Sequence, residues 1–324
     1  MVCVIGEAVI DLVPVHPAEP AGMTPPTYVA HPGGSPFNVA IGLARLGQQS
    51  QLQARLSADT FGRQLRRHAE LNGVDTTLAI TAAEHSSLAV VGLDANGNAA
   101  YDFYLAGTAD WQWTEGELAL TPPDCVWLHT GSLAAWTAPG AAAVQAHLER
   151  VRDQGSTIIS YDPNIRPLLM GARAVAVAAV ERSVAVAHVV KASAEDLAWL
   201  YPGQDVDKVV RAWLRLGPSL VVVTDGGAGA YAATTSSELI SVDARPVAVV
   251  DTVGAGDAFM AGLINASIRS AINLSALNAD HSAAISAILE EAILVAALTC
   301  GRAGADPPTA DELAKARAAP ALDG

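Results

Sequence analysis

The strongest constraint on this chain is a rhythm. Short, continuous apolar runs alternate with longer stretches whose apolar residues recur at helical spacing. "MVCVIG", "DCVWLHTG", "TIISYD", "HVVKAS" and "SLVVVTDG" read as buried strands. Between them, "NVAIGLARLG" (closed by Gly47), "AAAVQAHLERVRDQG" (closed by Gly155), "ARAVAVAAVERSVAVA", "EDLAWLY" and "DKVVRAWLRLG" read as helices. A strand that is apolar on both faces needs cover on both faces, and helical crossovers supply it. The pattern predicts an α/β fold with a mostly parallel sheet between two layers of helices.

Two segments break the rhythm, roughly 14–30 and 87–108, where the pattern is two-fold and polar-edged. "SSLAVVGLDANGNAAYDFYLAG" predicts two antiparallel strands joined through Asn96-Gly97, a strong hairpin signal. A small sheet of this kind, set against an α/β body, would make a lid. Trp111 and Trp113 alternate across a strand-like run, which suits either substrate contact or packing. Thr309 followed by Glu312 predicts a capping box for a last helix.

Composition then excludes several classes. With 324 residues, 51% hydrophobic and 16% charged, the chain can bury a core and is not disordered. No run of about 18 apolar residues lacks a charge, because Glu290 and Glu291 interrupt Ala283 to Thr299, so no membrane span is expected. Glu7 and Asp11 stand where a signal peptide would carry basic residues, and the N-terminus reads as a cytoplasmic start. Cys3, Cys125 and Cys300 are scattered, without disulfide-framework or metal-ligand spacing, and are expected to be buried thiols. A net charge of −14 opposes nucleic-acid binding. Any phosphate ligand must be held locally, by helix N-termini, a metal ion and a few cations, since the only lysines are Lys191, Lys208 and Lys315.

"DTVGAGDAF" offers such a place. Gly254, Ala255 and Gly256 let an anion approach the backbone closely. A helix starting near Asp257 would aim unpaired N–H groups and its dipole at that anion. The same field would hold Asp257 ionised, ready to accept a hydroxyl proton. An anion hole beside a base is what phosphoryl transfer needs. On spacing alone, an N-capping aspartate after a glycine turn remains open. No Gly is followed by Lys, so no phosphate-loop NTPase motif is present, and "VIGEAVID" is not a dinucleotide fingerprint. Upstream, "HPGGSPFNVAIGLARLG" sets Gly33 and Gly34 before a helix with Asn38 in its first turn, a donor and acceptor suited to a polyhydroxy ligand.

Together, "HPGGSPFNVAIGLARLG" and "DTVGAGDAF" resemble the two signature regions of the ribokinase-like (phosphofructokinase-B) family of sugar and nucleoside kinases. "GEAVID", the lid-like inserts, "DPNIR", "KASAED", "VVVTDGGAGA" and "GADPPT" follow in the family's order, so the resemblance covers residues 1–324 as one kinase domain. It implies a three-layer α/β/α body with a β-sheet lid. It implies Asp257 as catalytic base, with Gly254, Ala255 and Gly256 as the anion hole. Asp11 at the end of the first strand, Gly33, Gly34 and Asn38 would contact the sugar. Arg166 of "DPNIR" would face the acceptor or the transferred phosphate, where its planar donors suit the task, with a surface ion pair as the other reading. Lys191 would lie near the nucleotide phosphates, and Glu195 would hold Mg²⁺ through water. Ser193-x-Glu195 replaces the Asn-x-x-Glu of many relatives. Thr224, Gly226, Gly227 and Gly229 resemble the nucleotide loop. Asp251 and the Val253 carbonyl match a monovalent-cation site, K⁺ in kind.

The implied activity is ATP-dependent phosphorylation of a sugar hydroxyl. "GGSPFNVAIGLARLG" with "FYLAGTADWQW" looks most like bacterial fructokinases. 2-Keto-3-deoxygluconate kinase and ribokinase are the alternatives, and a sugar-binding regulator without turnover is the non-enzymatic one. Aromatic residues, at 5%, are few for a nucleoside-base pocket. Exposed lid edges would favour a homodimer.

Overall fold

The structure is a computed structural model that describes residues 1–15, 27–93, 99–270, 272–274, 277 and 281–318. Its main sheet has eight strands, in the order Ile240–Val242, Ala230–Thr234, Leu220–Thr224, Val189–Ser193, Ile158–Asp162, Trp127–Gly131, Val2–Ile5 and Ser50–Gln53. All neighbours run parallel except the two antiparallel pairs that add Ala230–Thr234 and Ile240–Val242.

The continuous apolar runs follow from a core on both faces. Val2 and Val4 pack into one cluster while Cys3 and Ile5 pack into the other. Leu220 and Val222 likewise oppose Val221 and Val223. Successive side chains point to opposite faces, so each strand needs apolar residues at every position. Each such side chain contributes about 1.5–3 kcal/mol by leaving water. Ser50–Gln53 ("SQLQ") carries no such signal, yet all four residues are buried. Gln51 donates to Asp75 and Gln53 to the Glu117 carbonyl, so the polar pair is satisfied inside.

The lid is a separate four-stranded sheet, in the order Tyr28–Gly33, Val9–Pro14, Leu88–Leu93 and Ala99–Tyr104. It begins earlier than 14, because the chain leaves the main sheet after Ile5 and enters the lid at Val9. Asp11 therefore lies on a lid strand, opposite His31, and not at the end of the first strand of the body. Leu88–Leu93 and Ala99–Tyr104 are antiparallel as expected, while the Asn96-Gly97 turn lies outside the described residues. Trp111 and Trp113 are not on a strand. Ala109–Trp111 is a short 3₁₀ turn, and both indoles are buried in apolar clusters. Cys3 and Cys125 are buried, and Cys300 is half-buried.

Helix Ser282–Cys300 is long and apolar enough to cross a membrane by length and composition. Here it is a core helix. Ile285, Leu289, Ala292 and Val295 are buried, and it runs along helix Ala255–Ser270. Glu291 pairs with Arg269 and Arg317. The last helix, Ala310–Ala318, carries the expected capping box, with the Thr309 N–H donating to Glu312 at 2.7 Å and the Glu312 N–H to Thr309 Oγ1 at 3.3 Å.

Candidate active site

Strand order reverses at Val2–Ile5, which lies between Ser50–Gln53 and Trp127–Gly131. Ligands of open α/β sheets bind beyond the carboxyl ends of strands at such a switch point. Two adjoining cavities lie there, of about 470 and 490 Å³, and Arg166, Thr252 and Gly256 line both. Residues just past successive strand ends supply the walls: Glu7, Ser132, Asn164, Glu195 and Asp225. The lid closes the first cavity through Val9, Asp11, Ala89, Tyr101 and Phe103. Those positions are odd-numbered on each strand, so pleat alternation sets one lid face over the cleft.

Asp257 lines the first cavity, next to Gly256, which lines both. Its helix starts at Ala255, two residues earlier than expected, so Asp257 is in the first turn. Helix Ser35–Arg45 lies parallel beside it. Gly42 makes this possible, since a Cβ there would stand 2.7 Å from the Ala261 Cβ. Both N-termini consequently open on the cleft. Ser35 Oγ donates to Asp257 Oδ1 at 2.7 Å, and Asn38 Nδ2 donates to Oδ2 at 2.8 Å. Asn38 therefore does more than line the first cavity, because it orients the carboxylate. Burial opposes the helix-terminus field expected to hold Asp257 ionised. Burial pushes its carboxyl up to about 6, against the pull of Asn38, Ser35 and Lys191. A carboxylate with that value is mostly ionised at neutral pH and is a better base than an ordinary aspartate.

On the sugar side, Asp11 faces the cavity, and burial pushes it up to about 6 against the pull of His31 and Arg166. Gly34 lines the cavity with φ +106°, while Gly33 does not reach it. Gly33 makes room for Asp11, whose Oδ2 would lie 2.5 Å from a Cβ at that position. Arg166 has no carboxylate partner within an ion pair among the described residues. Its guanidinium donates to Asn164 Oδ1 at 2.8 Å and to the Ile165 carbonyl at 3.0 Å.

On the other side, Lys191, Glu195, Thr224 and Gly226 line the second cavity. Lys191 is buried and bound to Asp162 Oδ2 at 2.8 Å, with its Nζ 3.2 Å from where a Gly256 Cβ would stand. It thus lies beneath the Gly254–Asp257 turn. Asp162, Asp196 and Asp257 keep the lysine above its usual range despite burial. Ser193 has a local duty. It caps helix Ala194–Leu200 in a capping box with Asp196. Gly229 is not on the cleft. With φ +103° it turns the chain into strand Ala230–Thr234, and a Cβ there would stand 2.1 Å from the Val242 carbonyl oxygen. Gly227 lies in open space. Asp251 accepts from the Val253 N–H at 3.0 Å and the Gly304 N–H at 2.8 Å, tying two loops together next to the site.

Sequence reasoning did not single out Glu7, Ser35, Ser132, Asn164 or Asp162 as site residues. Ser35 and Asn164 stand inside quoted motifs, "GGSPFN" and "DPNIR", so helix-turn position could have pointed to them. Ser132 lies in a tract with no motif and is found only through the fold.

Two helix N-termini, a buried carboxylate held between them and paired cavities, the first of them under a lid, have the layout of a phosphotransferase site. The chain belongs to the pfkB family of carbohydrate kinases, which it matches over residues 1–312. It is a kinase that uses a sugar as acceptor. It is 37% identical to a fructokinase of Salmonella typhimurium over 265 residues, covering 81% of this chain and 83% of that one. The fold matches a fructokinase from Xylella fastidiosa with bound ATP, with a TM-score of 0.80, 26% identity and 97% of each chain covered. It also matches a double-mutant fructokinase from Vibrio cholerae O395 in a fructose-, ADP- and potassium-bound form. That TM-score is 0.80, with 29% identity and coverage of 99% of this chain and 98% of the other.

Proposed function

We propose that this kinase is an ATP- and Mg²⁺-dependent fructokinase. The observation that carries the reading is Asp257, held by Ser35 and Asn38 on the first cavity, one residue past Gly256, which lines both cavities. Glu7, Asp11 and Asp257 put three carboxyls on the sugar cavity against the one guanidinium of Arg166. Such a lining suits a neutral polyol and disfavours an acidic acceptor such as 2-keto-3-deoxygluconate. The bacterial relatives named above supply fructose as the first choice.

In this mechanism Asp11 and Asn38 orient the sugar under the lid, and lid closure excludes water that would otherwise hydrolyse ATP. Asp257 accepts the proton of the acceptor hydroxyl as that oxygen attacks the γ-phosphorus and the bond from phosphorus to the bridging β-phosphate oxygen breaks, releasing ADP. The backbone at Gly254, Ala255 and Gly256, at the head of its helix, receives the phosphoryl charge, with Arg166 at the rim and Lys191 beneath. The carboxylates of Glu195 and Asp225 beside the Thr224 hydroxyl form a hard-oxygen set on the nucleotide cavity. Glu195 would hold Mg²⁺ through water there, and the ion, when bound, neutralises phosphate charge. Asp251 and the Val253 carbonyl would take K⁺. Tyr28, Val29 and Tyr104 expose apolar area on the lid, which supports pairing with a second copy, to be checked by sedimentation.

The test is a panel of fructose, ribose, 2-keto-3-deoxygluconate and adenosine with MgATP, with and without K⁺. Turnover concentrated on fructose is the expected result. A higher kcat/KM on another acceptor overturns the choice of sugar. Binding without turnover of any acceptor makes the protein a sugar sensor.

A further inference from the structure

Behind the sugar cavity is a buried carboxyl that the mechanism above does not use. Glu7 is 1% exposed and makes no ion pair among the described residues. Burial, with the nearby charge of Asp110, pushes it up to about 7, against the pull of Ser132 and the Ala134 N–H. Its Oε2 accepts the Ala134 N–H at 3.1 Å. The Ser132 side chain stands on the same cavity wall. Ser132 Oγ accepts from Asn164 Nδ2 at 3.4 Å, and Asn164 Oδ1 accepts from the Arg166 guanidinium at 2.8 Å. All four residues line the sugar cavity. Hydrogen bonds thus run from the guanidinium at the rim to the Ser132 hydroxyl, and Glu7 holds the Ala134 N–H of the same turn. Such chains polarise each bond in them.

A second observation is independent of that chain. Ser132, with φ +53°, and Asn164, with φ +39°, are the two non-glycine residues with left-handed φ among those described. They touch each other, and both are links of the relay. Strain of this kind persists where the surroundings over-determine it, and it concentrates at functional sites. Glu7 contributes to that determination by accepting the Ala134 N–H, two residues past Ser132.

We propose that Glu7, Ser132 and Asn164 form a positioning relay that fixes where Arg166 presents its guanidinium to the acceptor and the transferred phosphate. It rests on the reading of Arg166 as a site residue. Glu7 and Ser132 act through Arg166 from the sugar side, so their loss changes sugar-side kinetics more than nucleotide binding.

The experiment is a double-mutant cycle with steady-state kinetics on wild type, Ser132→Gly, Arg166→Ala and the pair, with Glu7→Gln as a further variant. Ser132→Gly removes the hydroxyl while suiting the left-handed backbone, so it keeps the fold even if Glu7→Gln does not. Ser132→Gly is expected to lower kcat/KM for the sugar about tenfold, with KM for MgATP within about twofold of wild type and the melting temperature retained. In the Arg166→Ala background the same substitution is expected to cost nothing further. Full additivity of the two losses overturns the relay, as does a Ser132→Gly enzyme with wild-type kinetics. Failure of the wild type to phosphorylate any sugar defeats the kinase reading separately. In that case the relay is judged by calorimetric sugar affinity over the same cycle, where unchanged affinity in Ser132→Gly overturns it.

Discussion

Two glycine-rich loops in this chain look alike in sequence and do different things. Gly254-Ala255-Gly256 and Gly226-Gly227-Ala228-Gly229 both follow an aspartate-bearing turn, and both resemble loops that hold phosphate. The first opens helix Ala255–Ser270, whose 16 residues line up their dipoles behind it. Its position is locked from outside, since a Cβ on Gly254 would stand 2.5 Å from the Ala305 Cβ. The second opens a β-hairpin. Gly226–Ala228 is a short 3₁₀ turn, followed by a strand antiparallel to the one before it. Only Gly226 of that loop faces the cleft. The element after a glycine run thus decides its use, because a helix brings a field and free N–H groups whereas a hairpin spends its glycine on turning the chain.

The largest expected effect lies in the first loop. Asp257→Asn keeps the side chain's shape, its oxygen accepting from Asn38 and its new NH2 donating to a turned Ser35 hydroxyl, but removes the base, and kcat is expected to fall by about 10²–10⁴ with sugar affinity nearly unchanged. Wild-type kcat in that variant would remove the first loop from the chemistry. A smaller effect follows from the raised carboxyl of Asp257. Because the base works ionised and its value lies at about 6, kcat/KM is expected to fall as pH drops through 6, about tenfold per unit below it. A rate held flat down to pH 5 would mean that the acting group titrates as an ordinary carboxylate.

Much of this difference was legible in the sequence. The two-sided core shows in Val189-Val190 and Leu220–Val223, because burial on both faces leaves no polar position to hide the strand. What was not legible is which sheet a strand joins. Asp11 was placed on the body because local pattern marks a strand but not its partners, and the jump to the lid occurs across residues 6–8. Nor could sequence show that Asn38 grips Asp257 over 219 positions, which depends on the close helix contact at Gly42. The dipole at Asp257 could be read from helix position. The desolvation that outweighs it is a property of everything packed around the carboxyl.

The second loop gives the smaller and more diagnostic effects. Gly229→Ala places a Cβ against the Val242 carbonyl in a backbone region that side chains rarely adopt. Strain of that sort costs about 1–3 kcal/mol before the clash is added, so a melting temperature several degrees lower is expected. The surviving folded enzyme should keep its KM for the sugar. A stable Gly229→Ala protein with weakened nucleotide binding would reverse the assignment and make the residue a ligand contact.

Gly227→Ala is the sharpest control, because it separates loop geometry from glycine content. Its neighbour Gly226 has φ +47°, whereas Gly227 is outside the left-handed region and a Cβ there meets nothing within 4 Å. A new methyl then costs no strain, and it reduces the freedom of the unfolded chain, a stabilisation of at most about 0.4–1 kcal/mol. The expected outcome is a melting temperature equal to or slightly above wild type and kinetic constants within twofold. A tenfold rise in KM for MgATP with unchanged stability would mean that the nucleotide covers Gly227 when it binds. The second loop would then be a phosphate cradle like the first, its backbone donors brought into use by closure on the ligand, and the contrast between helix-backed and hairpin-backed glycines would fail for this molecule.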